Sequence, residues 1–347
     1  MLMLQKHGRR LANPALFLAL AALLGACMSQ PIALKGTITD AYTGKPVAGA
    51  KAKLGSTEVS TDATGKYQFA SWGSKDTLDL TADGYAPAQV KLAEQPQLEK
   101  AAPPSATLDA KLRPNTLSGA VTDNYSGRPV AGATVQISDT LRATTGSDGR
   151  YTLKDVPEAV TLKISAPDHE PVQKALSRTT AFDASLRPNV LSGTVVDAET
   201  GKPVSGASVK AGSAAATTGA DGRYRVEGVP AGATVEISAP GYAAVKQALA
   251  QTTSFDAKLR TNVVTGTVTD QYSSAPIAGA SVKAGSAAAT SGADGHYRLE
   301  GLSGPVTVAL SADGYAPVTR TLDKLSPLDV ALRPNVLKGT LVDDHGA

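Results

Sequence analysis

Apolar and polar residues alternate in short runs along most of the chain beyond residue 33, and Gly, Pro or Asp-Gly interrupts the runs at close intervals. In Thr234-Val235-Glu236-Ile237-Ser238 the alternation puts Val235 and Ile237 on one side of an extended segment, the period of two expected of a half-buried strand. Tyr224 and Val226 alternate with Arg225 and Glu227, and Phe255, Ala257 and Leu259 alternate with Asp256 and Lys258, which predicts two more strands. Leu191 to Asp197 and Ala207 to Ala211 read as strands as well. Between them lie Gly201-Lys202-Pro203, Pro240-Gly241-Tyr242 and Ala220-Asp221-Gly222-Arg223; the Asp-Gly pair supplies the positive φ that a tight hairpin turn demands. About seven short strands are predicted in this stretch, and no segment of useful length carries the helical period.

The same pattern returns along the chain. Gly36-Thr37-Ile38-Thr39-Asp40 recurs at Gly119 to Asp123, Gly193 to Asp197 and Gly266 to Asp270, and a fifth copy opens at Gly339-Thr340-Leu341-Val342-Asp343. Gly206 to Thr217 is identical to Gly279 to Thr290, the mark of direct duplication. The repeat divides the chain into modules at 34–114, 115–188, 189–261 and 262–334, and leaves 335–347 as the first strand of an incomplete fifth. The expected fold is all-β: a tandem array of four small seven-stranded antiparallel β-sandwiches.

The set Gly-Thr-Val-x-Asp, Pro-Val-x-Gly-Ala, Asp-Gly-x-Tyr and Gly-Tyr-x-x-Val resembles the carboxypeptidase regulatory-like domain, a transthyretin-like seven-stranded sandwich. The resemblance runs from about Ala33 to Pro334, nearly the whole chain after the N-terminal segment. Two stretches depart from it. The second module has His169-Glu170 where the others have Gly84-Tyr85, Gly241-Tyr242 and Gly314-Tyr315, and the first carries a longer, Pro-bearing segment from Ala93 to Thr107. The resemblance implies a non-catalytic module; no peptidase domain accompanies it.

Residues 1–26 read as a lipoprotein signal peptide, in which Lys6, Arg9 and Arg10 precede an apolar run from Ala15 to Leu24. That run is too short for a transmembrane helix, which needs about twenty residues. It ends in Leu24-Gly25-Ala26-Cys27, which looks like a bacterial lipobox. The resemblance implies that Cys27, the only cysteine, is lipidated, with 27–33 as a short tether to the membrane. No Asp follows Cys27, so the expected location is the cell envelope, at the outer membrane if the source has one.

Formal net charge is +3, and removal of Lys6, Arg9 and Arg10 leaves 31 basic residues against 31 acidic ones. A balanced mature chain gives no electrostatic reason to bind nucleic acid. His7, His169, His296 and His345 share no repeat slot and show no metal-ligand spacing, so neither a catalytic site nor a cofactor or metal site is expected. Asp148, Asp221 and Asp294 sit in the Asp-Gly turns, while Asp40, Asp123, Asp197 and Asp270 end first strands. One carboxylate per turn falls short of the six or more oxygens calcium takes. The first strands of modules two to four lack the Lys that an isopeptide cross-link requires.

Aromatic residues remain as candidate ligand contacts. Tyr67, Tyr151, Tyr224 and Tyr297 fall at core-facing positions, and Tyr85, Tyr242 and Tyr315 at turns. Tyr42, Tyr125 and Tyr272 lie in a loop slot that holds Glu199 in the third module, and Trp72, the only Trp, lies in a loop of the first. These four aromatics are the weak candidates for contact with a glycan or an envelope protein. The chain therefore reads as a membrane-anchored spacer or interaction array, with carbohydrate binding on the same scaffold as the alternative.

Overall fold

The computed structural model describes residues 32–99 and 105–336. Cys27 and most of the fifth repeat start lie outside them.

The third module shows how the pattern becomes a fold. Val190–Asp197 pairs antiparallel with Arg223–Glu227 and parallel with Ala257–Leu259, forming a three-stranded sheet. The facing four-stranded sheet runs Ala214–Thr217, Ser208–Ala211, Thr234–Ser238, Val245–Ala248. Leu191, Val195, Val209, Val226, Val235, Ile237 and Leu259 point between the sheets with no exposed surface. Burial of each such aliphatic side chain stabilises the module by about 1.5–3 kcal/mol. Each core is mostly Leu, Val, Ile and Ala around one buried tyrosine (Tyr67, Tyr151, Tyr224 or Tyr297), with Phe69 besides in the first, and small residues such as Ala207 and Ala211 let the sheets approach.

Modules two and four repeat the seven strands and both sheets. The expectation of wholly antiparallel sheets needs correction, because the closing strand of every module pairs parallel with its first strand, as in Ala184↔Val121 and Val330↔Val268. The odd strand count explains it: the seventh strand travels in the direction of the first and lies beside it. The first module departs further, with eight strands. Its closing strand is split into Ser105–Thr107 and Ala110–Leu112, each parallel to Ala33–Asp40. A 3-10 turn at Leu92–Glu94 and one helical turn at Pro96–Glu99 precede the split strand, and Leu92 and Leu98 are buried in the module's core.

Consecutive modules are joined without a free linker. Asn115 N–H donates to Gly84 O of the first module, and Asn115 O accepts the Val156 N–H of the second. Asn189 repeats the arrangement between Asp168 and Val229, and Asn262 between Gly241 and Leu302. Arg113 Nη1 also donates to Val156 O at 2.8 Å, and Arg187 Nη1 to Val229 O at 3.1 Å. One backbone unit thus hydrogen-bonds to two sandwiches at once.

Candidate functional site

Two clusters of polar residues recur in every module. In the first, the closing strand crosses the first strand at its glycine. A Cβ on Gly36, Gly119, Gly193 or Gly266 would lie 1.8–1.9 Å from the carbonyl oxygen of Leu108, Phe182, Phe255 or Leu328. Only a residue without a side chain fits there. The same carbonyl accepts the tyrosine hydroxyl from Tyr67, Tyr151, Tyr224 or Tyr297 at 2.6–2.7 Å. The next residue, Asp109, Asp183, Asp256 or Asp329, accepts the backbone N–H that follows the glycine. Burial, aided by Asp183, Asp256 and Asp329 respectively, pushes Tyr151, Tyr224 and Tyr297 up to about 12. These phenols are structural donors, kept protonated.

The second cluster lies at the end of the first strand. Asp40 Oδ1 accepts the N–H groups of Tyr42 and Thr43, both at 2.8 Å, and its Oδ2 accepts the Tyr85 hydroxyl at 2.9 Å. Burial pushes the Asp40 carboxyl up, but the bonds from Thr43, Tyr42 and Tyr85 outweigh it and hold it below its ordinary value. Asp123, Asp197 and Asp270 make the same turn, and each is likewise held below the ordinary carboxylate range. The aspartates that suggested calcium are thus consumed by backbone donors. In the Asp-Gly turns Asp148, Asp221 and Asp294 accept the N–H two residues on. The first module has no Asp at this position, and Asp62 serves instead, accepting from Thr64 and Lys66. Among the described residues, no group of three or more His, Cys, Asp or Glu is placed to hold a metal ion. No helix among them is long and apolar enough to cross a membrane.

The four candidate aromatics do not converge. Trp72 and Tyr42 lie at opposite ends of the strand Ala33–Asp40, since Trp72 follows Phe69, the partner of Leu34, and Tyr42 follows Asp40. Trp72 packs against the core of the first module, and its Nε1 is buried without an acceptor among the described residues, beside a hollow of about 320 Å³. Tyr42 and Tyr125 are half-buried, whereas Tyr272 is 75% exposed. Tyr42 lies near Arg178 of the second module, whose guanidinium is held up by the hydrogen bond and charge of Glu158. Glu199, which holds this slot in the third module, pairs with Lys324 of the fourth at 2.7 Å. In modules one and three, then, the slot faces the following module.

A wider groove of about 510 Å³ in the first module is lined by Lys35, Lys66, Tyr67, Asp62 and Asp109 among others. It presents both charges and no paired catalytic geometry. Leu112-Arg113-Pro114-Asn115 and Leu186-Arg187-Pro188-Asn189 read from the sequence as Pro-stiffened joints with almost no linker. The sequence did not show that Asn115, Asn189 and Asn262 bond to both neighbouring modules, or that Arg113 and Arg187 reach across the joint.

These features define a class: tandem two-sheet β modules whose recurring polar slots are occupied internally, repeat after repeat. The carboxypeptidase regulatory-like domain model matches residues 116–187, 190–260 and 263–333, and the chain belongs to that family. The first module lies outside the matched residues and shares the architecture. Among solved structures, the chain is similar to the Bacillus anthracis TIE protein at 13% identity, over 65% of this chain and 49% of that one, with a TM-score of 0.21. It is similar to a cohesin–X-dockerin complex chain from Acetivibrio cellulolyticus at 28% identity, over 20% of this chain and 52% of that one, with a TM-score of 0.18. It thus spans about half the length of each. The major pilin subunit BcpA of Bacillus cereus, as its D312A variant, matches at 11% identity over 67% of this chain and 99% of that one, with a TM-score of 0.26. No curated protein matches the chain.

Proposed function

We propose that the protein is a non-catalytic cell-envelope lipoprotein, tethered by lipid on Cys27, whose modules act as a spacer and interaction array. The observation that carries the array is the junction: Asn115, Asn189 and Asn262 each bond to both neighbouring modules through one backbone unit, so the modules cannot separate without breaking these bonds. The polar slots that recur in every module are spent on partners within that module, backbone groups and the Tyr85–Asp40 pair among them, which suits a scaffold. A compact module of this size has a radius of gyration near 11 Å and a length of roughly 30 Å, so four in line extend on the order of 120 Å. Small-angle scattering of the full chain in detergent tests this. A maximum dimension after micelle subtraction on the order of half that value would overturn the extended array.

Glycan binding is the alternative use of the same scaffold, and it would rest on Trp72, Tyr42, Tyr125 and Tyr272. Their dispersal over three modules and two ends of a module favours the spacer. Binding of envelope polysaccharides by the wild type, lost in Trp72→Ala with the fold intact, would instead establish the alternative.

A further inference from the structure

The second module differs from the others at one turn. His169 bridges Pro188 as Tyr85 bridges Pro114 and Tyr315 bridges Pro334, so Asp168-His169 stands in place of Gly-Tyr, which corrects by one residue the His169-Glu170 alignment read from the sequence. In modules one and four the tyrosine hydroxyl donates to the aspartate at the end of the first strand, Tyr85 to Asp40 at 2.9 Å and Tyr315 to Asp270 at 3.0 Å. His169 takes over this role with two ring nitrogens in place of one hydroxyl. Its Nε2 lies 3.0 Å from Asp123 Oδ2 and its Nδ1 lies 2.7 Å from Pro167 O. A carbonyl and an ionised carboxylate only accept, while a neutral imidazole carries one N–H and a protonated one carries two. Only the protonated ring can donate to both neighbours, and the side chain is just 14% exposed, so water has little room to substitute.

The turn that His169 occupies is also the junction with the third module. Glu170 N–H donates to Arg187 O, and Asn189 N–H donates to Asp168 O. The Asp168 carboxylate pairs with Arg225 of the third module. Asp168 does so at a φ of 63°, where the other modules place glycine at 77°, 81° and 77°. Glu170 pairs with Arg187 at 2.9 Å, and the Arg187 guanidinium donates to Val229 O of the third module. The charged and titratable groups around the ring are therefore Asp123 at the end of the first strand, Asp168 and Glu170 on its own turn, Arg187 and Tyr125 beside them, and Arg225 across the junction.

We propose that His169 makes the coupling between the second and third modules dependent on pH, while the other two junctions are indifferent to it. The protonated ring pins the 167–170 turn to Asp123 and to its own backbone, and that turn holds Asn189, Arg187 and Arg225. Loss of the proton removes one of the two bonds and sets a lone pair against an oxygen. The extra bonding belongs to the protonated form, so the coupling is complete on the acidic side and weakens as pH rises and the second ring proton is lost. At the other junctions the donor is a phenol; burial and then the bond to Asp40 push Tyr85 up to about 12, so it keeps its proton at neutral pH. Asp123 stays ionised on the acidic side: burial pushes it up, but the bonds from Ser126 and His169 hold it below the ordinary carboxylate value.

Hydrogen exchange of the full chain, corrected for the intrinsic pH dependence of amide exchange, reads this at each junction separately. The expected result is a several-fold loss of protection at Asn189 and Val229 between pH 5.5 and pH 8, with Asn115, Val156, Asn262 and Leu302 unchanged. His169→Tyr, which copies the other three modules, should keep the junction protected at both pH values. His169→Phe, which offers no donor, should leave it loose at both. An equal response at all three junctions, no response at Asn189 and Val229, or a response that survives in His169→Tyr would each overturn the proposal.

Discussion

At the scale of single residues, stability rests on a few slots repeated in each module. Gly193 faces the Phe255 carbonyl so closely that Gly193→Ala forces the closing strand off the first; the third module should lose its cooperative unfolding transition while its neighbours keep theirs, as calorimetry would show. Tyr224→Phe keeps the ring but leaves the Phe255 carbonyl without its 2.6 Å donor. A cost of about 1–3 kcal/mol is expected from the unsatisfied acceptor and is measurable by urea denaturation. The aspartates give a pH dependence with a definite sign. Asp40, Asp123, Asp197 and Asp270 are held below their ordinary value in the folded chain. Their contribution is therefore complete above the unfolded carboxylate value of about 4 and is lost as pH falls below it. Circular dichroism between pH 2 and 6 should show acid destabilisation, and Asp197→Asn should flatten the part belonging to the third module.

At the scale of elements, the strands that alternation announces are those that pack on both sheets. Val235 and Ile237 are fully buried, as are Val226 and Leu259, because a period of two is the direct imprint of one buried face. Phe255 shows the limit of that signal. It continues the alternation of Ala257 and Leu259, yet the closing strand begins only at Ala257, because the chain must cross over Gly193 at Phe255 and cannot stay in the ladder. The crossing is a contact between residues some sixty apart, which no local pattern records. The parallel pairing of first and closing strands was hidden for the same reason. The candidate aromatics were legible only as residue types: half-burial of Tyr42 and Tyr125, and exposure of Tyr272, are set by packing that no local pattern records. The junctions invite one engineering test. Thr261 stands where the others have Pro114, Pro188 and Pro334, with Thr261 bridged to Tyr242 as Pro188 is to His169. Thr261 N–H makes no backbone hydrogen bond, and Arg260 makes none to Leu302 O, unlike Arg113 and Arg187 at their junctions. Thr261→Pro should therefore stiffen the third junction and stabilise it by about 0.4–1 kcal/mol through the unfolded chain. A fall in melting temperature of the last two modules would show that the ring does not fit.

At the scale of the molecule, the same chain must be read as modules and as one object. Four thin cores, each made of its own aliphatic residues, are separate units of stability, while the shared asparagines couple neighbours. Location is expected to depend on Cys27 alone: Cys27→Ser should shift the protein from the membrane fraction to the soluble or uncleaved precursor, with no change in the melting of the modules. Lipid labelling of that variant at the normal level would refute the anchor.

The parallel pairing of first and closing strands has a mechanical consequence. Each module is entered at the start of its first strand and left at the end of its closing strand, and these ends lie at opposite poles of two strands that run side by side. A pull along the chain slides one strand lengthwise past the other. The hydrogen bonds between them lie across that direction and must yield together, where a hairpin pulled from its open end would release them singly. The glycine crossing, which hooks the closing strand over the first by the Tyr-held carbonyl, opposes the same slide. If the array serves as the tether proposed above, a load along the chain falls in every module on this lengthwise slide of two paired strands.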